Sequence, residues 1–224
     1  MNTQEMSRLQ QDLSLYFVAG TMNCHSPEEF YRILKQAVQG GITAFQFREK
    51  GVNSLSGQKQ LEMAKRAKEV CHKHDVLFIV NDDLDLMKAV GADGLHVGQT
   101  DGNLRDIRRE TEGKLLGVSA HTLAEAKDAI VHGADYIGVG PIYQTRTKSD
   151  AKKPVGVDLI LELRSNHINV PLVGIGGITL QNAGEVIKAG ADGVAIISAI
   201  SGAVDPSSAS SNLLQIIYTA KRES

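Results

Sequence analysis

Short apolar runs punctuate this chain, and between them apolar residues recur at three- and four-residue intervals. The runs are Leu15–Ala19, Ala44–Phe47, Leu77–Val80, Gly94–Val97, Leu115–Ser119, Tyr136–Val139, Leu172–Ile175 and Gly193–Ile197. Each is short, rich in branched or aromatic side chains, and bounded by turn-forming or polar residues, which predicts strands buried on both faces. The stretches Ser26–Gln39, Ser56–His74, Thr122–His132, Val157–Asn166 and Thr179–Ala189 carry the helical period. Ser26 before Pro27, Ser56, Thr122 and Thr179 read as helix N-caps, and Asp205-Pro206 opens a last helix that ends near Lys221.

One connection recurs. Gly91-Ala92-Asp93, Gly133-Ala134-Asp135 and Gly190-Ala191-Asp192 each follow a helical stretch and precede a strand, and Gly40-Gly41-Ile42-Thr43 is a degenerate copy. The glycine closes the helix in the left-handed region and turns the chain into the next strand. Eight strands alternating with helices predict an α/β protein of one domain over residues 1–224, a (β/α)8 TIM barrel, with a short N-terminal extension over about residues 1–13. A doubly wound open sheet fits less well, because no GxGxxG follows the first strand.

Composition narrows the class. The chain has 224 residues and a net charge of −2, with 42% hydrophobic and 22% charged residues, so it folds as a globular protein and lacks the basic field of a nucleic-acid or anionic-membrane binder. No apolar run reaches the roughly 20 residues of a membrane helix. The first residues show no secretory signal, and Cys24 and Cys71 form no metal spacing, so a cytoplasmic protein with reduced thiols is expected.

In a barrel of this kind active residues sit at the C-terminal strand ends. There the chain carries Gln46-Phe47-Arg48-Glu49-Lys50, Asn81-Asp82-Asp83, Asp101 in the fourth loop, Ser119-Ala120-His121, and Gly174-Ile175-Gly176-Gly177 followed by Ile197-Ser198 after the eighth strand. Period two places Gln46, Arg48 and Lys50 on one face, suited to an anion; the alternative keeps Gln46 and Arg48 inside the barrel. Asp82 and Asp101, on adjacent strand ends with no His or Cys cluster, suit a hard cation such as Mg²⁺, while Asp83 reads as a helix cap. His96 and His121 are candidate bases or core residues. The glycines with Ser198 form either a phosphate site or a plain tight turn. The loop Gln144–Pro154, with Arg146 and Lys148, reads as a basic lid over anionic substrates, with Lys152 and Lys153 as solvated charges. Two anionic pockets result, one for a diphosphate with Mg²⁺ and one for a monophosphate.

Together with His96-Val97-Gly98-Gln99-Thr100-Asp101, Gly117-Val118-Ser119 and Gly140-Pro141-Ile142-Tyr143, these segments resemble the thiamine phosphate synthase family, in order and over nearly the whole chain. The resemblance implies a transferase of thiamine biosynthesis. It would join 4-amino-2-methyl-5-hydroxymethylpyrimidine diphosphate to 4-methyl-5-(2-phosphoethyl)thiazole, giving thiamine phosphate and diphosphate by a dissociative path. It implies that Gln46, Arg48, Lys50, Asn81 and Lys148 hold the pyrimidine diphosphate, that Asp82 and Asp101 bind Mg²⁺, and that Ser119 sits beside the pyrimidine. Thr145, Arg146 and Thr147 with Gly177, Ile197 and Ser198 would bind the thiazole phosphate, and Arg48, Lys50, Ser119 and Lys148 would be catalytic. Gln144 departs from the family pattern, which has proline there, and this bears on the stiffness of the thiazole loop.

Two alternatives remain at this point. One is an isomerase resembling the thiazole tautomerase, against which the set Arg48, Lys50, Asp82 and Asp101 argues. The other is a non-catalytic barrel that binds phosphate ligands. The expected partners are small molecules, without nucleic acid or membrane, and a homo-oligomer is compatible with the chain.

Overall fold

The structure is a computed structural model that describes residues 2–24, 26–51, 53–145 and 153–223. Eight strands, β1 (Leu15–Ala19), β2 (Ala44–Phe47), β3 (Leu77–Asn81), β4 (Gly94–Val97), β5 (Leu115–Ala120), β6 (Tyr136–Val139), β7 (Leu172–Ile175) and β8 (Gly193–Ile196), pair in parallel in chain order. Tyr16 of β1 pairs with Ala195 of β8 and closes the (β/α)8 barrel. All eight predicted strands are present, with shifts of one residue at three C-terminal ends.

Ten α-helices accompany the strands among the described residues: α1 (Thr3–Asp12), α2 (Pro27–Gln39), α3 (Gly57–His72), α4 (Leu84–Val90), α5 (Leu104–Glu110), α6 (Leu123–Val131), α7 (Asp158–Ser165), α8 (Ala183–Lys188), α9 (Ser198–Ser201) and α10 (Pro206–Glu223). Ser26 and Thr122 cap as expected, accepting the N–H groups of Glu29 and Glu125. Two expectations fail. The Ser56 side chain makes no cap bond, and Thr179 precedes α8 by a turn in which Asn182 Oδ1 accepts the Thr179 N–H at 2.8 Å.

The extension over residues 1–13 is mostly helix. Asn2 Oδ1 accepts the Glu5 N–H and Glu5 Oε2 accepts the Asn2 N–H, a reciprocal cap that starts α1. Leu9 and Leu13 then join Tyr16, Val18, Ala44, Ile79, Tyr136, Val173 and Ala195 in the barrel interior. Burial of each such leucine contributes about 1.5–3 kcal/mol. A second, larger core lies between the strands and the outer helices, where Phe30 of α2 meets Phe45 and Phe47 edge-on at 6.0 Å.

The repeated connection has a second function beyond its glycine. Gly91, Gly133 and Gly190 have φ of +64°, +88° and +106°, the left-handed region foreseen. The aspartate two residues on accepts the N–H of an adjacent strand: Phe78 to Asp93, Leu116 to Asp135 and Leu172 to Asp192, each at 2.8 Å. Each also holds a helix side chain, namely His72, Arg108 and Arg164. In the degenerate copy Thr43 Oγ1 accepts the Leu15 N–H at 3.0 Å. These four clamps pin strand starts, leaving the opposite barrel end open for chemistry.

Candidate functional site

The C-terminal strand ends and following loops of β2 and of β4 to β8 converge on one cavity. Lys50, Gly98, Gln99, Thr100, Asp101, Ser119, His121, Gly138, Gly140, Pro141, Thr145, Ile175, Gly176, Gly177, Ile178, Ala195, Ile197 and Ser198 line it. Seven predicted residues therefore line one cavity: Lys50, Asp101, Ser119, Thr145, Gly177, Ile197 and Ser198. Arg146, Thr147, Lys148 and Lys152 lie outside the described residues.

Glu49 fixes the β2 loop that carries Arg48 and Lys50. Its carboxylate accepts the Thr21 N–H and hydroxyl and the Leu55 N–H, tying the ends of β1 and β2 together. Beyond it Lys50 Nζ lies 2.6 Å from Asp82 Oδ2 and 3.7 Å from Asp101 Oδ1. Asp82 stands at φ +60°, an uncommon conformation for a residue with a side chain, and its N–H bonds the His96 carbonyl at 2.9 Å. Asp101 Oδ2 accepts the Gly98 N–H at 2.7 Å. Asp83 caps α4 through the Leu86 N–H, as expected.

Electrostatics divide the two carboxylates. Burial pushes Asp82 up, and the neighbouring Asp101 adds to this against the pull of Lys50. Burial works on Asp101 too, but the Gly98 N–H, Asp82 and Lys50 outweigh it and hold the group below the usual range. Among the described residues no three His, Cys, Asp or Glu side chains gather as a metal group. The donor set is two carboxylates already gathered around a positive charge, which fits a magnesium ion that keeps most of its waters or takes phosphate oxygens.

Gln46, Arg48 and Asn81 do not line the cavity. β2 ends at Phe47, so Gln46 lies within the strand while Arg48 and Lys50 lie in the loop beyond it. Gln46 is buried at 3% exposure and its Nε2 donates to the Tyr16 hydroxyl at 3.0 Å, the barrel-interior alternative with a phenol in place of an acid. Arg48 is half-buried, its N–H on the Ala19 carbonyl at 2.9 Å, and Asn81 closes β3, partly exposed.

On the far wall Gly176 and Gly177 have φ of +98° and +65°. A Cβ on Gly177 would lie 2.6 Å from the Gln144 carbonyl oxygen, so the loop after β6 packs directly on this turn. Asn182 Nδ2 donates to the Gly177 carbonyl at 3.1 Å and steadies it. Ser198 begins α9 beside it.

Sequence reasoning passed over Gln99, whose Nε2 donates to the Ser119 carbonyl at 2.7 Å, and over Glu49. Both lay inside motifs already quoted, flanked by residues whose charge or position drew attention first. His121 lines the cavity and pairs with Glu125 at 3.1 Å, while His96 bonds Tyr136 and Ser119.

Fold and site together define a (β/α)8 barrel with an acidic pair under a lysine on one side of its mouth and a glycine turn on the other. A family model described as thiamine monophosphate synthase matches residues 15–200, and the chain belongs to this family. It is 47% identical over 212 residues to the thiamine-phosphate synthase of Geobacillus thermodenitrificans, covering 95% of each chain. It is 49% identical over 197 residues to that of Bacillus mycoides, covering 88% of each. Among solved structures, thiamine phosphate pyrophosphorylase from Pyrococcus furiosus superposes with a TM-score of 0.84 at 32% identity, covering 95% of this chain and 98% of that one. A 3-hexulose-6-phosphate synthase from Salmonella typhimurium, at 17% identity and TM-score 0.72, shares the fold.

Proposed function

We propose that this chain is a thiamine-phosphate synthase, the transferase that joins the pyrimidine diphosphate to the thiazole phosphate. The observation that carries the reading is the Lys50–Asp82–Asp101 cluster, set at the edge of the same cavity that Gly177, Ile197 and Ser198 line. This arrangement supports separate places for a diphosphate and a monophosphate around one reacting centre. Family membership and the relatives' names support the same activity.

In the reaction the C–O bond to the diphosphate breaks and its electron pair leaves with the diphosphate. The thiazole nitrogen then supplies the pair for the new C–N bond. No nucleophilic side chain is needed; charge has to be neutralised where it grows. Lys50 and Arg48 would do this from the β2 loop, and Asp82 and Asp101 would hold Mg²⁺, which would supply positive charge to the diphosphate. Gly177 and Ser198 hold the thiazole phosphate, and Thr145 covers it from the loop after β6.

The test is a mass measurement of thiamine phosphate from purified protein with both substrates and Mg²⁺. Product formation dependent on all three supports the proposal. Isomerisation of the thiazole phosphate alone, or binding without turnover, would replace it with the tautomerase or ligand-binding reading.

A further inference from the structure

A chain of hydrogen bonds crosses the barrel interior beneath the cavity and ends at Ser119. Gln46 Nε2 donates to the Tyr16 hydroxyl at 3.0 Å, and Tyr16 lies 2.9 Å from the Tyr136 hydroxyl. Tyr136 is 3.0 Å from His96 Nδ1, and His96 Nε2 is 2.9 Å from Ser119 Oγ. The five side chains come from β2, β1, β6, β4 and β5. Tyr16 and Tyr136 are fully buried, and burial pushes both phenols well above their ordinary range, so each keeps its one proton.

That single proton per phenol gives the chain a direction. The Gln46 amide N–H fills an acceptor position on the Tyr16 oxygen, so the Tyr16 O–H donates to Tyr136. Tyr136 in turn donates to His96 Nδ1. With Nδ1 accepting, a ring proton sits on Nε2 and donates to Ser119 Oγ. The Ser119 hydroxyl has no second hydrogen-bond partner among the described residues, and Ser119 lines the cavity. Its hydroxyl proton is therefore left to face the cavity.

The backbone is shaped around this path. A Cβ on Gly117 of β5 would fall onto the Tyr136 hydroxyl and within 2.5 Å of His96 Nδ1, and one on Gly138 of β6 would lie 3.0 Å from His96 Cε1. Both strands carry glycine where the Tyr136–His96 contact passes.

We propose that Tyr136, oriented by Tyr16, locks His96 as the Nε2–H tautomer and thereby fixes Ser119 as a hydrogen-bond donor to a ring-nitrogen or oxygen acceptor on the substrate. Tyr16, Tyr136 and His96 are positioning residues on this reading. The role given to the substrate rests on the proposed function; the tautomer does not.

The experiment is a long-range ¹H–¹⁵N correlation spectrum of His96 in the ligand-free protein labelled at histidine, with steady-state kinetics on variants. Wild type is expected to show the Nε2–H tautomer. Gln46→Met is expected to retain it, because Tyr16 can then donate only to Tyr136. Tyr136→Phe removes the donor to Nδ1 and is expected to give mixed tautomers. It should also lower kcat/KM for the pyrimidine diphosphate about ten-fold, the effect of one neutral hydrogen bond. Adding Ser119→Ala to Tyr136→Phe should cost no more than Ser119→Ala alone, since the two act in series. A wild-type Nδ1–H tautomer or an imidazolium overturns the proposal, as does an unchanged tautomer in folded Tyr136→Phe. If that variant does not fold, the wild-type spectrum and Gln46→Met decide. The expected tautomer without any thiamine phosphate formation would overturn the proposed function and leave the relay standing.

Discussion

Lys50 Nζ lies 2.6 Å from Asp82 Oδ2 and 3.7 Å from Asp101 Oδ1, so one ammonium occupies the space between two carboxylates drawn from neighbouring strand ends. A cation arriving at those oxygens must displace it. On the proposed function that lysine would then turn toward the diphosphate, where a second positive charge is useful.

That exchange makes a prediction for Lys50→Met. Without the competing ammonium, Mn²⁺ used as a spectroscopic probe should bind the ligand-free protein more tightly than it binds wild type. Turnover should fall by roughly 10²–10³ in kcat, the loss typical of one preorganised charge stabiliser. Weaker Mn²⁺ binding, or a change confined to the thiazole KM, would assign Lys50 elsewhere.

The acidic pair should make activity depend on a divalent cation. Asp82→Ala and Asp101→Ala should each weaken the apparent Mg²⁺ affinity by at least the roughly 10–100-fold that loss of an outer-shell partner costs. Circular dichroism should remain that of the folded protein. Full turnover in excess EDTA would exclude the metal role.

Gln144 is exposed, and its side chain makes no hydrogen bond among the described residues, while its carbonyl packs against Gly177. Proline here narrows the open-loop ensemble without removing a side-chain contact. Where φ is compatible the gain is about 0.4–1 kcal/mol, or roughly two- to five-fold in thiazole phosphate KM. Ten-fold weaker thiazole binding in both Gln144→Pro and Gln144→Ala would instead make the glutamine a ligand contact.

Stability, not turnover, should report on the repeated aspartate. Asp192 Oδ2 accepts the Leu172 N–H at 2.8 Å and the Arg164 Nη2 at 2.6 Å, with 15% of the Asp192 side chain exposed. Asp192→Ala leaves both donors without that acceptor and should cost about 1–3 kcal/mol in urea unfolding. KM values should stay unchanged, because this clamp lies at the strand starts, away from the cavity.

The sequence by itself determined the barrel. Its local signals agree: strand runs, helical periods and a helix-closing glycine repeated at alternate returns, so the βα units are specified by neighbours in the chain. The same order put Lys50, Asp101, Ser119, Gly177 and Ser198 at strand ends, which in a closed parallel barrel is one place. The first helix escaped notice because its apolar stripe is thin, although Asn2 and Glu5 already spelled a cap. What only the tertiary structure decided is where a side chain goes once several partners compete for it. Gln46 has the chemistry of a ligand contact, yet barrel closure brings Tyr16 of β1 to 3.0 Å from its amide. Tyr136 looks like an ordinary strand aromatic until β4 sets His96 beside it. Lys50 reads as an anion binder, while strand pairing delivers Asp82 and Asp101 to it first. These contacts join residues 30 to 51 positions apart. Local pattern sets which face a residue occupies, but the partner on that face comes from whichever strand the closed register places opposite.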